Sequence, residues 1–254
     1  RSFLLRLAYS GDPDDKATKL SDVYPKKVRA AMAASFNPAK ATVSARIGKS
    51  GKLSKSDNTS HVSIIDEDGL AVSSTHTINL LFGSGILAPE AGVFLNNELD
   101  DFSYTLKDSN AFGLAGSKAN LYQPGRRPVS SMSPLIVTRA NKPILVMGAP
   151  GGTRIPTAVF QAAYRHLVDG LPLKEAVDGP RLHNQAFPDH TWVEKVTGSE
   201  TKHEALHALG HKTVDRSGWC DVEAVQAEWD EKGTLRSLTA ASDRRDEGGS
   251  MVLK

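Results

Sequence analysis

A threonine inside a chain is a poor nucleophile, because no base beside it takes the hydroxyl proton. A chain-terminal threonine carries its own base, an α-amine with a pKa of about 7.7–8.0. That chemistry needs a scissile peptide just before a strand that starts with Thr. Asn58–Thr59 has this layout: a Gly-, Ser- and Lys-rich stretch precedes it and the β-rich run Thr59-Ser-His-Val-Ser-Ile-Ile65 follows. Other nucleophiles fit less well. Cys220 is the only cysteine, which also excludes an intrachain disulfide and a cysteine metal cluster. Ser130, Ser131 and Ser133 have no G-x-S-x-G elbow around them, although their hydroxyls suit a carboxylate ligand.

Three further patterns bear on chemistry. Gly148-Ala-Pro-Gly-Gly-Thr-Arg154 follows an apolar run and precedes a helical one. It lacks the spacing and Lys of a nucleotide loop, but consecutive glycines let backbone N–H groups approach an anion or oxyanion. Asn96-Asn-Glu-Leu-Asp-Asp-Phe102 is a dense polar run after Val93-Phe-Leu95. His203-Glu-Ala-Leu-His207 matches the zinc-peptidase pattern, with His203 and His207 on one helical face and Glu204 as base. Its polar flanks and early end at Gly210 suit a surface helix better. Asn58-Thr59-Ser60 also fits the glycosylation pattern, which is common by chance.

The elements that must position these groups are legible in outline. The spacing predicts helices over 23–36, 157–170, 172–179 and 199–210, the last two helices of the longer kind closing on Gly170 and Gly210. It predicts hairpins joining 61–65 to 70–78 through Asp66–Gly69, 134–138 to 142–148, and two strands within 221–242 through Asp230–Gly233, with a further strand at 190–195. Residues 37–58, with Lys40, Arg46, Lys49, Lys52 and Lys55, read as a basic linker. The 254 residues suffice for a real core, and a 39% apolar, 24% charged composition excludes disorder and coiled coil as the main state. A net charge of +2 gives no nucleic-acid footprint, and no run nears the roughly 18 apolar residues of a membrane helix. The start at Arg1 reads as a processed or partial chain, with no targeting segment visible.

In this order, Thr59-Ser-His-Val-Ser63, Thr75-His-Thr-Ile-Asn79, Phe82-Gly-Ser-Gly85, Leu95-Asn-Asn-Glu-Leu-Asp-Asp-Phe-Ser103, Arg127-Pro-Val-Ser-Ser-Met-Ser-Pro134, Gly148–Arg154 and Ala241-Ser-Asp243 resemble the gamma-glutamyltranspeptidase family of N-terminal nucleophile hydrolases. The resemblance implies an α+β fold: a four-layer αββα sandwich of two antiparallel sheets covered by helices, partly contained in this chain. Residues 1–58 would be the tail of a large subunit with its basic linker, and 59–254 the small catalytic subunit. The remaining large subunit, with the arginine the family uses on the substrate carboxylate, would be the heterodimer partner. Self-cleavage at Asn58–Thr59 would free the nucleophile.

The same resemblance assigns the parts. Thr59 is the nucleophile, Thr77 its hydrogen-bond partner, and Gly151 and Gly152 the oxyanion donors. Asn79, Glu98 and Asp101 hold the α-amino group of a γ-glutamyl donor, and Ser130 and Ser131 its α-carboxylate. Residues 104–120 correspond to a substrate lid, with Phe112 at an aromatic gate position. The donor would be glutathione or another γ-glutamyl amide, and the acceptor water, an amino acid or a dipeptide. No cofactor, metal or nucleic acid is implied, and the location is secreted, periplasmic or membrane-anchored. Ser60 replaces the family's usual second Thr, and Asp243-Arg-Arg departs from its Asp-Pro-Arg tail. The alternatives are a glutaryl or cephalosporin acylase, for which Asp101 has no use, a zinc peptidase on His203 and His207, and an inactive fragment.

Overall fold

The computed structural model describes residues 2–14, 25–42, 59–107 and 109–253. Asn58, most of the basic linker and the first two residues of the helix expected at 23–36 lie outside the described residues. The chain forms two compact bodies from interleaved segments: 1–55, 97–130 and 183–216 in the first, and 56–96, 131–182 and 217–254 in the second.

The second body is layered. Strands β1 (Thr59–Ile65) and β2 (Ala71–Thr77) pair antiparallel from Thr59↔Thr77 to Ile65↔Ala71. Asp66 sets the turn, its Oδ1 accepting the N–H groups of Asp68 (3.1 Å) and Leu70 (2.7 Å), while Gly69 takes a φ of 91°. This hairpin packs on a four-stranded sheet ordered β11-β10-β6-β5, all antiparallel, where β5 is Leu135–Arg139, β6 Lys142–Gly148, β10 Glu223–Trp229 and β11 Leu235–Ala241. Ile65, Val146 and Ala227 form the core between the two sheets, with Val225, Trp229 and Leu238 around it. Successive strand residues face opposite ways, so Leu145 and Met147, both fully buried, turn from the hairpin toward the helices. Helix α3 (Ile155–Leu167) covers that face with Ile155, Ala158, Val159, Ala162 and Ala163, the spacing of one helical stripe. Helix α4 (Leu173–Asp178) adds Leu173, Ala176 and Val177. A two-residue hairpin, β3 (Leu87–Ala88) with β4 (Val93–Phe94), was not expected from the sequence.

The first body holds α1 (Ser2–Tyr9), α2 (Lys26–Ala34), α5 (Ser199–Ala208) and the strands β8 (Thr191–Glu194) and β9 (Thr213–Arg216). β8 and β9 pair in parallel, because α5 carries the chain back between them; this pair lies outside the two antiparallel sheets expected, which are those of the second body. α1 was also unexpected. It is anchored by Phe3 in a small core with Ala186 and Phe187. The 1–14 segment is tied down further by Ser117 Oγ donating to Leu7 O, and by Asp12, whose carboxylate accepts Arg127 N and Arg127 Nη2, both at 2.8 Å. These bonds hold Asp12 well below the usual carboxylate range.

Candidate active site

In the second body the β1–β2 register sets the hydroxyls. Thr59 opens β1 opposite Thr77, which closes β2. Thr59 Oγ donates to Thr77 Oγ at 3.1 Å, and Thr77 Oγ also accepts the Asn79 N–H at 2.9 Å. Asn79 is buried at 4% exposure and takes a φ of 73°, a left-handed conformation that Asn tolerates better than most residues. The chain Asn79 N–H, Thr77 Oγ, Thr59 Oγ therefore fixes where the Thr59 hydroxyl points.

The glycine turn follows β6. Gly151 has a φ of 130° and Gly152 a φ of 58°, and a 3-10 turn over Gly152–Arg154 leads into α3. Gly151 must be glycine for a second reason: a Cβ there would collide with Cys220 Sγ. Two residues after Thr59, on the same face of β1, the His61 ring lies directly on Gly148, where any Cβ would overlap it. That contact sets the Thr59 end of β1 and the glycine turn at the same end of the layered body.

His61 also has a defined protonation. Ser63 Oγ donates to Glu223 O at 3.0 Å, so it accepts from His61 Nε2–H at 3.0 Å, and His61 Nδ1 accepts from Thr75 Oγ at 2.7 Å. Burial, helped by His76, lowers His61 to about 4, so the ring is neutral at pH 7. His61 was not among the residues expected at the site; its place two residues beyond Thr59 on one strand face was the available signal.

The first body carries the acidic groups. Glu98 and Asp101 bracket one 3-10 turn. Burial, then the charge of Glu98, pushes Asp101 up to about 7, with Arg6 opposing, and burial raises Glu98 as well. Two carboxyls this close and this desolvated oppose ionising together, which favours a proton on Asp101. Asn120 Nδ2 donates to Asp101 O at 2.7 Å, and Asp100 Oδ2 accepts Ala111 N at 2.9 Å. Asp101 also lines a cavity of about 90 Å³ with Arg6, Asn110 and Asn120. Phe112 is buried at 9% exposure, its carbonyl accepting from Gln185 Nε2 at 3.1 Å, so the ring does not stand open as a gate. Ser130 is exposed and Ser131 half-buried, with Ser131 O accepting from Ser133 Oγ at 3.1 Å.

The His203 and His207 rings do face one side of α5, 6.1 Å apart. Their nitrogens are engaged by Thr213 and Asp215: His203 Nε2 lies 2.7 Å from Asp215 Oδ1, and His207 Nε2 2.7 Å from Thr213 Oγ. Among the described residues no group of three or more His, Cys, Asp or Glu side chains is arranged to hold a metal ion. The pattern is a helix-to-strand tie in the first body.

Known proteins resemble the chain in sequence and in fold. A glutathione hydrolase proenzyme of Pseudomonas aeruginosa is 38% identical over 258 aligned residues, covering 100% of this chain and 44% of that protein. A gamma-glutamyltranspeptidase from Pseudomonas nitroreducens, solved in complex with L-DON, superposes with a TM-score of 0.69 at 42% identity, over 76% of this chain and 99% of that one. A cephalosporin acylase from Bacillus halodurans shares the fold alone, with a TM-score of 0.76 at 20% identity over 97% of this chain and 42% of that one. The chain spans about two fifths of the length of the curated relatives it matches. The sequence model of the gamma-glutamyltranspeptidase family matches residues 1–253, and the chain belongs to that family, with its α+β N-terminal nucleophile hydrolase fold.

Proposed function

We propose that the protein containing this chain transfers γ-glutamyl groups from glutathione or other γ-glutamyl amides to water or to amino acid and dipeptide amines. The observation that carries this reading is the hydrogen-bond chain from Asn79 N–H through Thr77 to Thr59 Oγ, at the same end of its layer as the Gly151–Gly152 turn. The relatives' designation as proenzymes supports a self-processing step. Thr59 Oγ attacks the Asn58 carbonyl carbon. The C–N bond breaks as the acyl group moves to oxygen, and water cleaves the ester, leaving a free Thr59 α-amine.

In turnover Thr59 Oγ attacks the γ-carbonyl carbon, its proton passing to the α-amine. The oxyanion is taken by the Gly151 and Gly152 N–H groups, where one such donor contributes about 2.7–4 kcal/mol. The α-amine returns the proton to the leaving amine, and water or an acceptor amine then resolves the acyl-threonine. Asp101 with Glu98 suits a cationic α-amino group, since neighbouring desolvated carboxyls that resist ionising together gain when an ammonium ion arrives. Phe112 serves as a gate only after leaving its present packing.

The partner is the remainder of a large subunit. The outer face of β1–β2 exposes Val62, Ile64 and Val72 at 43%, 49% and 39%, an apolar surface that a further layer would cover. The test uses the full-length protein. Intact mass and N-terminal sequencing report whether a chain begins at Thr59. Release of p-nitroaniline from γ-glutamyl against glutaryl anilides separates this reading from the acylase, which needs no α-amino group. Preference for the glutaryl anilide refutes it.

A further inference from the structure

In a trans peptide the C=O and N–H lie in one plane and point in opposite directions. Whatever holds the Gly151 carbonyl therefore aims the Gly152 N–H. This matters here because two adjacent glycines offer the least resistance to rotation of the peptide between them. A rotated peptide would present a carbonyl oxygen where an oxyanion needs a donor.

The Gly151 carbonyl is held from two sides. Arg154 donates to it twice, from Nε at 2.8 Å and from its backbone N at 3.3 Å. Cys220 packs its Sγ against the Gly151 Cα and donates to the same oxygen at 3.9 Å. Cys220 has a φ of 60°, a conformation that is costly for a side-chain-bearing residue and persists only where the surroundings impose it. Arg181 imposes it. That side chain is fully buried. Its Nη1 donates to the carbonyls of both Trp219 and Cys220, and its Nη2 to Val177 O at 3.0 Å and to Asp243. Asp243 Oδ2 in turn accepts the Val222 N–H at 3.0 Å, closing the loop on the far side of Cys220.

We propose that Arg154 is a positioning residue for the oxyanion donor Gly152 N–H, acting through the Gly151 carbonyl, and that Cys220, set by the buried Arg181–Asp243 pair, is the second brace on the same peptide. The proposal rests on the γ-glutamyl reading for its substrate and not for its geometry.

The test uses the full-length protein and its Arg154→Ala, Arg154→Lys and Cys220→Ala variants. With a γ-glutamyl anilide, Arg154→Ala loses about 10- to 100-fold in kcat, less than outright removal of a donor, with KM within about threefold. Arg154→Lys recovers part of the loss, and Cys220→Ala loses a few-fold. A boronic acid analogue of the donor, which forms a tetrahedral adduct with a hydroxyl, weakens in parallel with kcat/KM, while an unreactive γ-glutamyl ligand does not. Equal weakening of both ligands, or an unchanged kcat, overturns the proposal. A crystal structure of whichever variant folds gives a reading independent of substrate: a turned or displaced Gly151–Gly152 peptide supports it, and an unmoved one overturns it. If the unsubstituted protein turns over no γ-glutamyl anilide, the functional reading fails, and that crystal structure alone decides the geometry.

Discussion

The two bodies handle polarity in opposite ways. In the second, the Thr59 end is built from neutral groups: two threonine hydroxyls, a backbone N–H, a glycine turn and a histidine held uncharged. In the first, two carboxyls are crowded into one turn and desolvated until one keeps its proton to about pH 7. Neutral hydrogen-bonded groups are pre-aimed at little cost. Crowded carboxyls oppose folding once ionised and gain when a cation arrives. The difference separates a region suited to bond making from one suited to holding a charged end. It predicts that damage to the second body shows in kcat and damage to the first in KM.

The largest effect is expected at Thr59. Thr59→Ala abolishes chain cleavage and lowers γ-glutamyl anilide turnover by more than about 10³-fold, read by intact mass and by anilide release. A variant that still cleaves and turns over dissolves the distinction between the bodies. Next is Asp101→Asn, with donor KM raised about 10²-fold, the scale for losing a charge-assisted contact, and a smaller change in kcat. The pH dependence follows from the sign. A carboxyl raised to about 7 binds an ammonium ion only once ionised, so donor kcat/KM rises as pH passes through about 7. That rise should vanish in Asp101→Asn. The same ionisation weakens the fold above the ordinary carboxylate range, so Asp101→Asn should raise Tm at pH 8 by a few degrees, the scale of about 1 kcal/mol, and less at pH 4.

Thr77→Val comes third. It keeps the shape but removes the oxygen that accepts from Thr59 and Asn79, so kcat should fall about tenfold, consistent with the loss of one oriented hydrogen bond, with KM nearly unchanged. The smallest effect concerns His61. Its folded-state pKa of about 4 lies below the ordinary value, so the unfolded chain binds more protons between about pH 4 and 6.5, and stability falls as pH drops through that window. The ring is only partly buried, which keeps the effect to a few degrees of Tm. His61→Gln should flatten this acid limb; an unchanged limb would show that other groups set it.

What the sequence disclosed depended on how local the determinant is. Asp66 and Asp230 each head a D-x-x-G turn whose carboxylate caps its own backbone, so both hairpins could be placed from four residues. The stripe of α3 was readable from spacing for the same reason. The parallel β8–β9 pair and α1 escaped, because their pairing and packing partners are far along the chain. His61 on Gly148, Cys220 on Gly151 and Arg181 with Asp243 are long-range contacts with no local mark. Thr59 stood out because its chemistry needs one particular neighbour in sequence. The assignments of Glu98, Asp101 and the serines came from the family resemblance; composition alone would have left them as a polar strand end.

Among the described residues the ladder between β1 and β2 runs from Thr59↔Thr77 to Ile65↔Ala71. These rungs join residues that stay in one continuous chain if the Asn58–Thr59 bond is cut. The proposed cut would leave them in place, so the strand could keep its register, and its first hydroxyl its aim, as a new terminus forms.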